Sequence, residues 1–338
     1  MSLDPARREG LERARARAIA RDSFSIDLEQ ASVTARPFGV VVADASTHVI
    51  VSSSESLAVL GGILIWMDRE GLDKPHLVFE HHAEVQARRA ALLAPAATVF
   101  GLVAGRVVPV EPAALTEPHP TPEGIGELEA MIQRCGADRV VEDGIVRAEV
   151  AGLEVGRIVT GPDGSQLEVG VGRFDREAGV LLHADRPIEP TLADTVRRIS
   201  EHRRPGAPSD PVNRMARERW LRCLVVEDPA AIGVTQPELV EPIPPRLSLL
   251  EAVPAALLAE DVSAAGGPRV LVVCSVGVAL ELIPAAADLV VRHRPDHVRF
   301  VIPSRDRFPT VERLASRLGV PVSFAELAVP WVDGIPDG

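Results

Sequence analysis

Cys274, Ser275 and Gly277 lie in a turn whose position suits the binding of an anion. The apolar residues 269–274 predict a strand, and residues 278–293 predict a helix directly after the turn. The first N–H groups of a helix lack intrahelical partners and carry the positive end of the helix dipole. We therefore predict that Cys274, Ser275 and Gly277 bind a small anionic or nucleotide-like ligand. A plain structural turn and a catalytic Cys274 thiol are the alternatives.

A second group, Glu80, His81, His82 and Glu84, follows the apolar residues 77–79 at the start of a predicted helix. His81 and Glu84 are three positions apart and would share a face of that helix. Imidazole and carboxylate together suit iron, manganese or zinc, so His81 and Glu84 are an alternative metal site. Acidic residues in a first helical turn also complement the helix dipole without any ligand. Our primary prediction is that no cofactor binds.

Two predicted strands in the middle of the chain each carry a glutamate, Glu154 on one and Glu168 on the next. A helix with Glu127 and Glu129 precedes these strands, and another helix follows them. This order of elements over residues 123–182 resembles the core of the PD-(D/E)XK nuclease superfamily. The resemblance implies that Glu154 and Glu168 hold a divalent metal such as Mg²⁺ or Mn²⁺ against a scissile phosphate.

Gly170 stands where that family has the lysine that steadies the attacking water. Arg173 or Arg176 would have to take the place of the lysine, although an arginine does not give up a proton. The resemblance thus implies a metal-dependent phosphodiester hydrolase, nuclease-like, or an inactive relative, with Glu154, Glu168 and Arg176 as the alternative catalytic set. Glutamates that alternate with valines are equally typical of the solvent-facing side of a half-covered antiparallel sheet.

A basic stretch runs from Arg186 to Arg222 and includes Arg197, Arg203 and Arg217. Acidic residues are interspersed in it, and the whole chain has a formal net charge of −12. A negative protein is repelled by nucleic acid and by anionic membranes. We predict that these arginines pair mainly with carboxylates of the protein and that nucleic acid is not a partner.

The composition excludes several reaction classes. The sequence has no tyrosine, and Lys74 is the single lysine among 36 lysine and arginine residues. No Gly-Lys-Ser/Thr phosphate loop is present, and Lys74 lies in a predicted turn unsuited to Schiff-base or PLP chemistry. Arginine in place of lysine is typical of GC-rich genomes, so we predict a high-GC bacterial source. Cys135, Cys223 and Cys274 form no disulfide framework, which indicates a reducing compartment, the cytoplasm.

The alternation of apolar strands and amphipathic helices predicts an α/β fold with a mainly parallel, Rossmann-like three-layer sheet and an inserted α+β domain. Three predicted strands within residues 269–325 cannot bury both faces of a sheet, so we expect them to join the strands of residues 38–105 in one sheet.

The longest apolar run, residues 57–67, is shorter than the about 18 residues of a membrane span. The sequence indicates no oligomeric state. The predicted domains are an N-terminal helix (1–30), the first segment of the α/β domain (31–115), the inserted domain (121–228), a proline-rich connection (229–268) and the second segment of the α/β domain, a βαβαβ unit (269–328).

Overall fold

Three open β-sheets and the helices that connect them form the computed structural model, which describes residues 4–162, 164–182, 187–243, 248–263 and 266–331. The chain divides into two units. No described helix is both long and apolar enough to cross a membrane. The first unit comprises Met1–Leu115, Leu280–Arg292 and Phe308–Val322, and the second comprises Thr116–Ala279, His293–Arg307 and Ser323–Gly338.

The first unit begins with three helices and a six-stranded sheet. The helices are α1 (Pro5–Phe24), α2 (Leu60–Glu70) and α3 (Ala83–Ala91), and the strands are β1 (Ser32–Arg36), β2 (Gly39–Ala43), β3 (His48–Ser52), β4 (His76–Phe79), β5 (Thr98–Val103) and β6 (Arg106–Pro109). The strand order follows the chain from β1 to β6. The pairs β3–β4 and β4–β5 are parallel, and the other three pairs are antiparallel.

Local sequence explains how these elements begin and pack. Asp4 accepts a hydrogen bond from the N–H of Arg7 and caps α1, whose first residue is a proline. Ala16 and Ile19 of α1 pack with the valines of β2 and β3 in one hydrophobic cluster. Gly71 directly follows α2 as its C-cap, and its φ of 67° lies in the left-handed region that glycine adopts without steric cost.

The second unit contains an antiparallel four-stranded sheet. Its elements are α4 (Gly126–Arg134), β7 (Asp138–Glu142), β8 (Ile145–Val150), β9 (Leu153–Gly161), β10 (Gly164–Val169), α5 (Gly172–Leu182), α6 (Ile188–His202) and α7 (Arg217–Glu227). The strand order is β10-β9-β8-β7, and all three pairs are antiparallel. Val146, Ala148 and Val150 of β8 pack with Ile132 of α4 and Ile199 of α6. Because side chains alternate along a strand, Arg147 and Glu149 lie on the opposite face.

A five-stranded sheet follows, with strands β11 (Val234–Val240), β12 (Ala255–Asp261), β13 (Arg269–Cys274), β14 (His297–Val301) and β15 (Val322–Ala325) in that order. β11 and β12 pair antiparallel, as do β12 and β13, whereas β13 and β14 pair parallel. α7 packs on β12 and β13, so that Trp220 and Leu221 join the buried cluster of Leu257 and Val272.

The prediction of one sheet shared by residues 38–105 and 269–325 is wrong for the described residues. The two stretches form separate ladders, and antiparallel pairs outnumber parallel ones. The predicted irregular connection 229–268 supplies β11 and β12, which complete the sheet that contains β13 and β14. Because β12 is itself an apolar, buried strand, β13 has a neighbour without any strand of the first unit.

Two helices of the C-terminal stretch, α8 (Leu282–His293) and α9 (Pro309–Ala315), contribute to the first unit. Asp288 of α8 is fully buried and accepts hydrogen bonds from the Nε atoms of Arg88 and Arg89 of α3 at 2.9 and 2.8 Å. α9 contacts α2, and Arg313 of α9 pairs with Asp68. The sequence predicts that α8 begins at position 278, but in the structure it begins four residues later, at Leu282.

Candidate functional site

The candidate site is a cavity on the four-stranded sheet that brings Glu154, Glu168 and Arg176 together. Glu154 lies on β9 and Glu168 on the neighbouring strand β10. Arg176 lies on α5, which follows β10 directly. All three line a cavity of about 580 Å³, a volume typical of sites for small molecules.

Glu154 is the buried centre of the charges that line the cavity. Its side chain is 1 % exposed, and three guanidinium groups contact it. Oε2 accepts a hydrogen bond from Arg147, while Oε1 accepts from Arg157 Nε at 2.9 Å and from Arg176 Nη1 at 2.6 Å. Burial acts to raise the pKa of Glu154, but the charges of the three arginines outweigh burial and hold the pKa below its usual value. Glu154 is therefore a carboxylate at neutral pH.

Arg176 occupies the place between the two glutamates. Its Nη1 contacts Glu154 at 2.6 Å, and its Nε lies 3.9 Å from Glu168 Oε2. Both oxygens of Glu154 are thus engaged by guanidinium groups, and no group of three metal-ligating side chains occurs among the described residues. This donor set does not fit a divalent metal, because the ion would have to displace at least one buried arginine. The hydrolase interpretation stays a prediction.

Gly170, where the sequence departs from the nuclease-like pattern, lies at a point of the backbone that has no room for a side chain. Its φ is +149°, and a Cβ atom at this position would lie 2.7 Å from the backbone nitrogen of Arg176 and 2.8 Å from the backbone carbon of Asp175. Backbone atoms at such distances cannot yield as a flexible side chain would. The close approach of α5 to the end of β10 therefore requires glycine, and it places Arg176 where it reaches Glu154.

A second layer of charges lies behind the cavity. Arg219 of α7 contacts both Glu142 of β7 and Glu149 of β8. Arg147 links this layer to the cavity, because it contacts Glu142 at 3.3 Å as well as Glu154. All five of these side chains are at most 7 % exposed. A solvent-facing side was the alternative interpretation for the strand of Glu154, but the structure shows Glu154 buried, and the charged residues of the neighbouring strand β8 are covered by side chains of α7.

The mouth of the cavity combines charged and apolar side chains. Arg173 pairs with Glu177 at 2.6 Å, and both are largely exposed. Phe174 is 85 % exposed and Leu250 is 74 % exposed, although both are large and apolar. The charged residues of the lining are four arginines, Arg147, Arg157, Arg173 and Arg176, and three glutamates, Glu154, Glu168 and Glu177. Sequence reasoning missed Arg157 and Phe174, and the one available signal was an aromatic residue set among charges at the start of a helix.

The predicted anion site at residues 274–277 is largely occupied by the protein itself. Cys274 is fully buried, and burial raises the pKa of its thiol to about 12. The N–H of Ser275 donates to the carbonyl of Val301 at 3.1 Å. The N–H of Gly277 donates to the carboxylate of Asp306 at 2.8 Å. Since α8 begins only at position 282, its first N–H groups do not adjoin this turn, and Asp306 holds the place predicted for a ligand anion.

The alternative metal pair at His81 and Glu84 is not assembled as the sequence predicted. α3 begins at position 83, so His81 precedes the helix and Glu84 is exposed on its first turn. His82 has a left-handed φ of 57°, and its Nε2 lies 3.1 Å from the carbonyl oxygen of Glu55. Glu80 pairs with Arg15 through two hydrogen bonds of 2.6 and 2.9 Å. In the structure, His82 thus contacts the carbonyl of Glu55, and Glu80 forms an ion pair with Arg15.

The basic helices supply structural contacts. Arg203 is buried, lies 4.3 Å above the Trp220 ring and donates to backbone carbonyls that include those of Ala151 and Val212. Arg197, by contrast, is exposed and pairs with a neighbouring aspartate. Arg186 lies outside the described residues. Arginine pairing with protein carboxylates therefore accounts for a portion of this stretch, and Arg203 instead satisfies backbone oxygens.

Comparison with known proteins identified no relative. No protein-family model matches the chain, and neither the curated proteins nor the solved structures include a significant match. Function is therefore inferred from the geometry and chemistry of the chain's own residues.

Proposed function

We propose that this protein binds a small anionic molecule in the arginine-lined cavity of the four-stranded sheet. The observation that carries the proposal is the set of four arginines in one cavity of about 580 Å³. Guanidinium groups are planar and present several donors in a fixed fork, which matches carboxylate and phosphate groups. The charged residues of the lining comprise four arginines and three glutamates, a formal excess of one positive charge.

Glu154 supports binding by holding the arginines in place. Arg147 and Arg176 are 6 % and 5 % exposed, and their contacts with Glu154 fix them before any ligand arrives. Arg157, whose side chain is 27 % exposed, uses Nε and Nη2 for Glu154. Its Nη1 has no partner among the described residues. A ligand oxygen at Nη1 would meet a guanidinium whose orientation has already been set, which reduces the entropic cost of binding.

The test is isothermal titration calorimetry with inorganic phosphate and pyrophosphate. The double variant Arg157→Met and Arg173→Met removes the two more exposed arginines and keeps the contacts of Glu154 with Arg147 and Arg176. A hydrogen bond to a charged group contributes about 1.5–3 kcal/mol, so we expect affinity to fall at least about tenfold. Arg197→Met is the matched control, because Arg197 is an exposed, paired arginine outside the cavity.

Three outcomes of the calorimetry are informative. Binding by the parent and the control, with weak binding by the double variant, supports the proposal. No binding of any anion by the parent, or equal affinities of all three proteins, contradicts it. Mn²⁺ is titrated in parallel, because Glu154 and Glu168 line the same cavity. Mn²⁺ binding that Glu168→Gln abolishes would instead favour the phosphodiester hydrolase hypothesis.

The cysteines support a cytoplasmic location. Cys135, Cys223 and Cys274 are all free. Free thiols are typical of proteins in reducing compartments, and we propose the cytoplasm as the site where the protein binds its ligand.

A further inference from the structure

Phe174 is an aromatic side chain exposed at the mouth of the cavity. It lies on the first turn of α5, directly after Arg173, and it is 85 % exposed. Leu250, which lines the same cavity, is 74 % exposed. Full burial of a phenylalanine side chain stabilises a protein by about 1.5–3 kcal/mol, and Phe174 contributes almost none of this to the described fold. Its exposed ring is available to a ligand.

The charged lining limits how much negative charge that ligand carries. Four arginines face three glutamates in the cavity, and Glu154 already occupies three of the arginines. Glu168 is 29 % exposed, and Arg176 is its nearest basic contact, at 3.9 Å. A carboxylate with so few contacts repels a second or third phosphate. It also accepts hydrogen bonds from neutral hydroxyl groups, as acidic residues do with the ribose of nucleotides.

These observations point to one ligand class. We infer that the cavity binds a nucleoside monophosphate, whose phosphate contacts Arg157 and Arg173, whose sugar hydroxyls donate to Glu168, and whose base stacks on Phe174. Aromatic side chains stack on bases because every base has a flat π face. The single net positive charge of the lining matches one phosphate group better than three. This inference rests on the proposed function and adds the chemical class of the ligand.

The experiment compares ligands that differ by one group each. Inorganic phosphate, adenosine, the four ribonucleoside monophosphates and ATP are titrated into the parent, Phe174→Ala and Phe308→Ala. Phe308 is the matched control, because it is 44 % exposed and lies outside the cavity. We expect at least one monophosphate to bind the parent more than about tenfold tighter than inorganic phosphate does, and ATP to bind less tightly than that monophosphate. Thermal unfolding of each variant verifies that the fold is retained.

Phe174→Ala should weaken the monophosphate by about fivefold to a hundredfold, the range that loss of base stacking produces. Its affinity for inorganic phosphate should stay unchanged, and Phe308→Ala should bind every ligand as the parent does. If phosphate binds but the monophosphate has no advantage, or Phe174→Ala keeps that advantage, the nucleotide inference is wrong and the proposed anion site stands. If no anion binds the parent, the proposed function and the inference both fail.

Discussion

Glu281 is a partly buried carboxyl group whose protonation should affect stability near neutral pH. Glu281 immediately precedes α8, and its side chain is 20 % exposed. Oε1 accepts the N–H of Gly61 at 2.7 Å, and Oε2 lies 3.4 Å from Arg89 Nη1. Burial raises the pKa of Glu281 to about 7, with a further contribution from the charge of Asp288, although Gly61 and Arg89 act in the opposite direction.

The pKa of Glu281 differs between the folded and the unfolded protein, and this difference determines how stability changes with pH. In the unfolded chain Glu281 has its ordinary pKa of 4.5, and in the folded protein the pKa is about 7. Between these values the folded protein binds more protons than the unfolded chain, so stability falls as pH rises from about 4.5 to about 7 and stays level above that. Each pKa unit corresponds to about 1.36 kcal/mol, which gives a loss of about 3 kcal/mol across this window.

Glu281→Gln removes this dependence and keeps an oxygen that can accept the Gly61 N–H. We expect the free energy of unfolding of the variant, relative to the parent, to rise by about 3 kcal/mol between about pH 4.5 and about pH 8. Urea unfolding at half-unit pH steps measures this difference. Glu70→Gln, which changes an exposed glutamate at the end of α2, is the control and should follow the parent. Parallel pH profiles for Glu281→Gln and the parent would refute the assignment.

Three further outcomes can be measured directly. Gly152 has a φ of +77°, and a Cβ there would lie 2.5 Å from the backbone carbon of Arg219, so Gly152→Ala should destabilise the protein by more than about 2 kcal/mol. Thermal unfolding should show a smaller loss of about 1 kcal/mol for Gly124→Ala, where φ is +72° but no atom lies within 4 Å. Arg203→Lys should lower the free energy of unfolding in urea by about 2 kcal/mol or more. A lysine cannot donate to the carbonyls of Ala151 and Val212 and also stack on the Trp220 ring. The Cys274 thiol, whose pKa burial raises to about 12, should resist alkylation at about pH 8 in the native protein and react in urea, as mass spectrometry would show.

The sequence predicted most individual elements because apolar periodicity is a local property. Residues 269–274, for example, are predicted as a strand and coincide with β13. The error lies in the pairing of strands, which depends on contacts distant in sequence. β12 (Ala255–Asp261) is apolar enough to be predicted, but prolines before and after it suggested an irregular connection. Because β12 was not predicted, the C-terminal strands were expected to pair with strands of residues 38–105, whereas β13 pairs with β12 in the structure.

The candidate site was only partly predicted, for the same reason. Glu154, Glu168 and Arg176 are the alternative catalytic set that the nuclease-like resemblance implies, and in the structure they line one cavity. The arginine partners of Glu154 could not be identified from the sequence. Arg147 lies on the neighbouring strand β8, and Arg157 lies three positions after Glu154 on β9. Charged residues at every second position indicate an exposed face and a covered charged face equally. Only the position of α7, fixed by its packing on the other sheet, distinguishes these two cases.

The near absence of lysine has a consequence for this network. Arg176 contacts Glu154 and Glu168 at once, and Arg219 contacts Glu142 and Glu149 at once. A guanidinium makes such double contacts because its donors point outward along three edges of one plane, whereas an ammonium group is a single point of charge. The burial of Glu142, Glu149 and Glu154 in the four-stranded sheet depends on this geometry of the arginine side chain. A lysine at position 176 or 219 would lose one of the two contacts and leave a glutamate with fewer cationic partners, at a cost of several kcal/mol where the glutamate is buried. Arginine at these positions therefore permits glutamates to lie buried next to the cavity, each in contact with at least one guanidinium group.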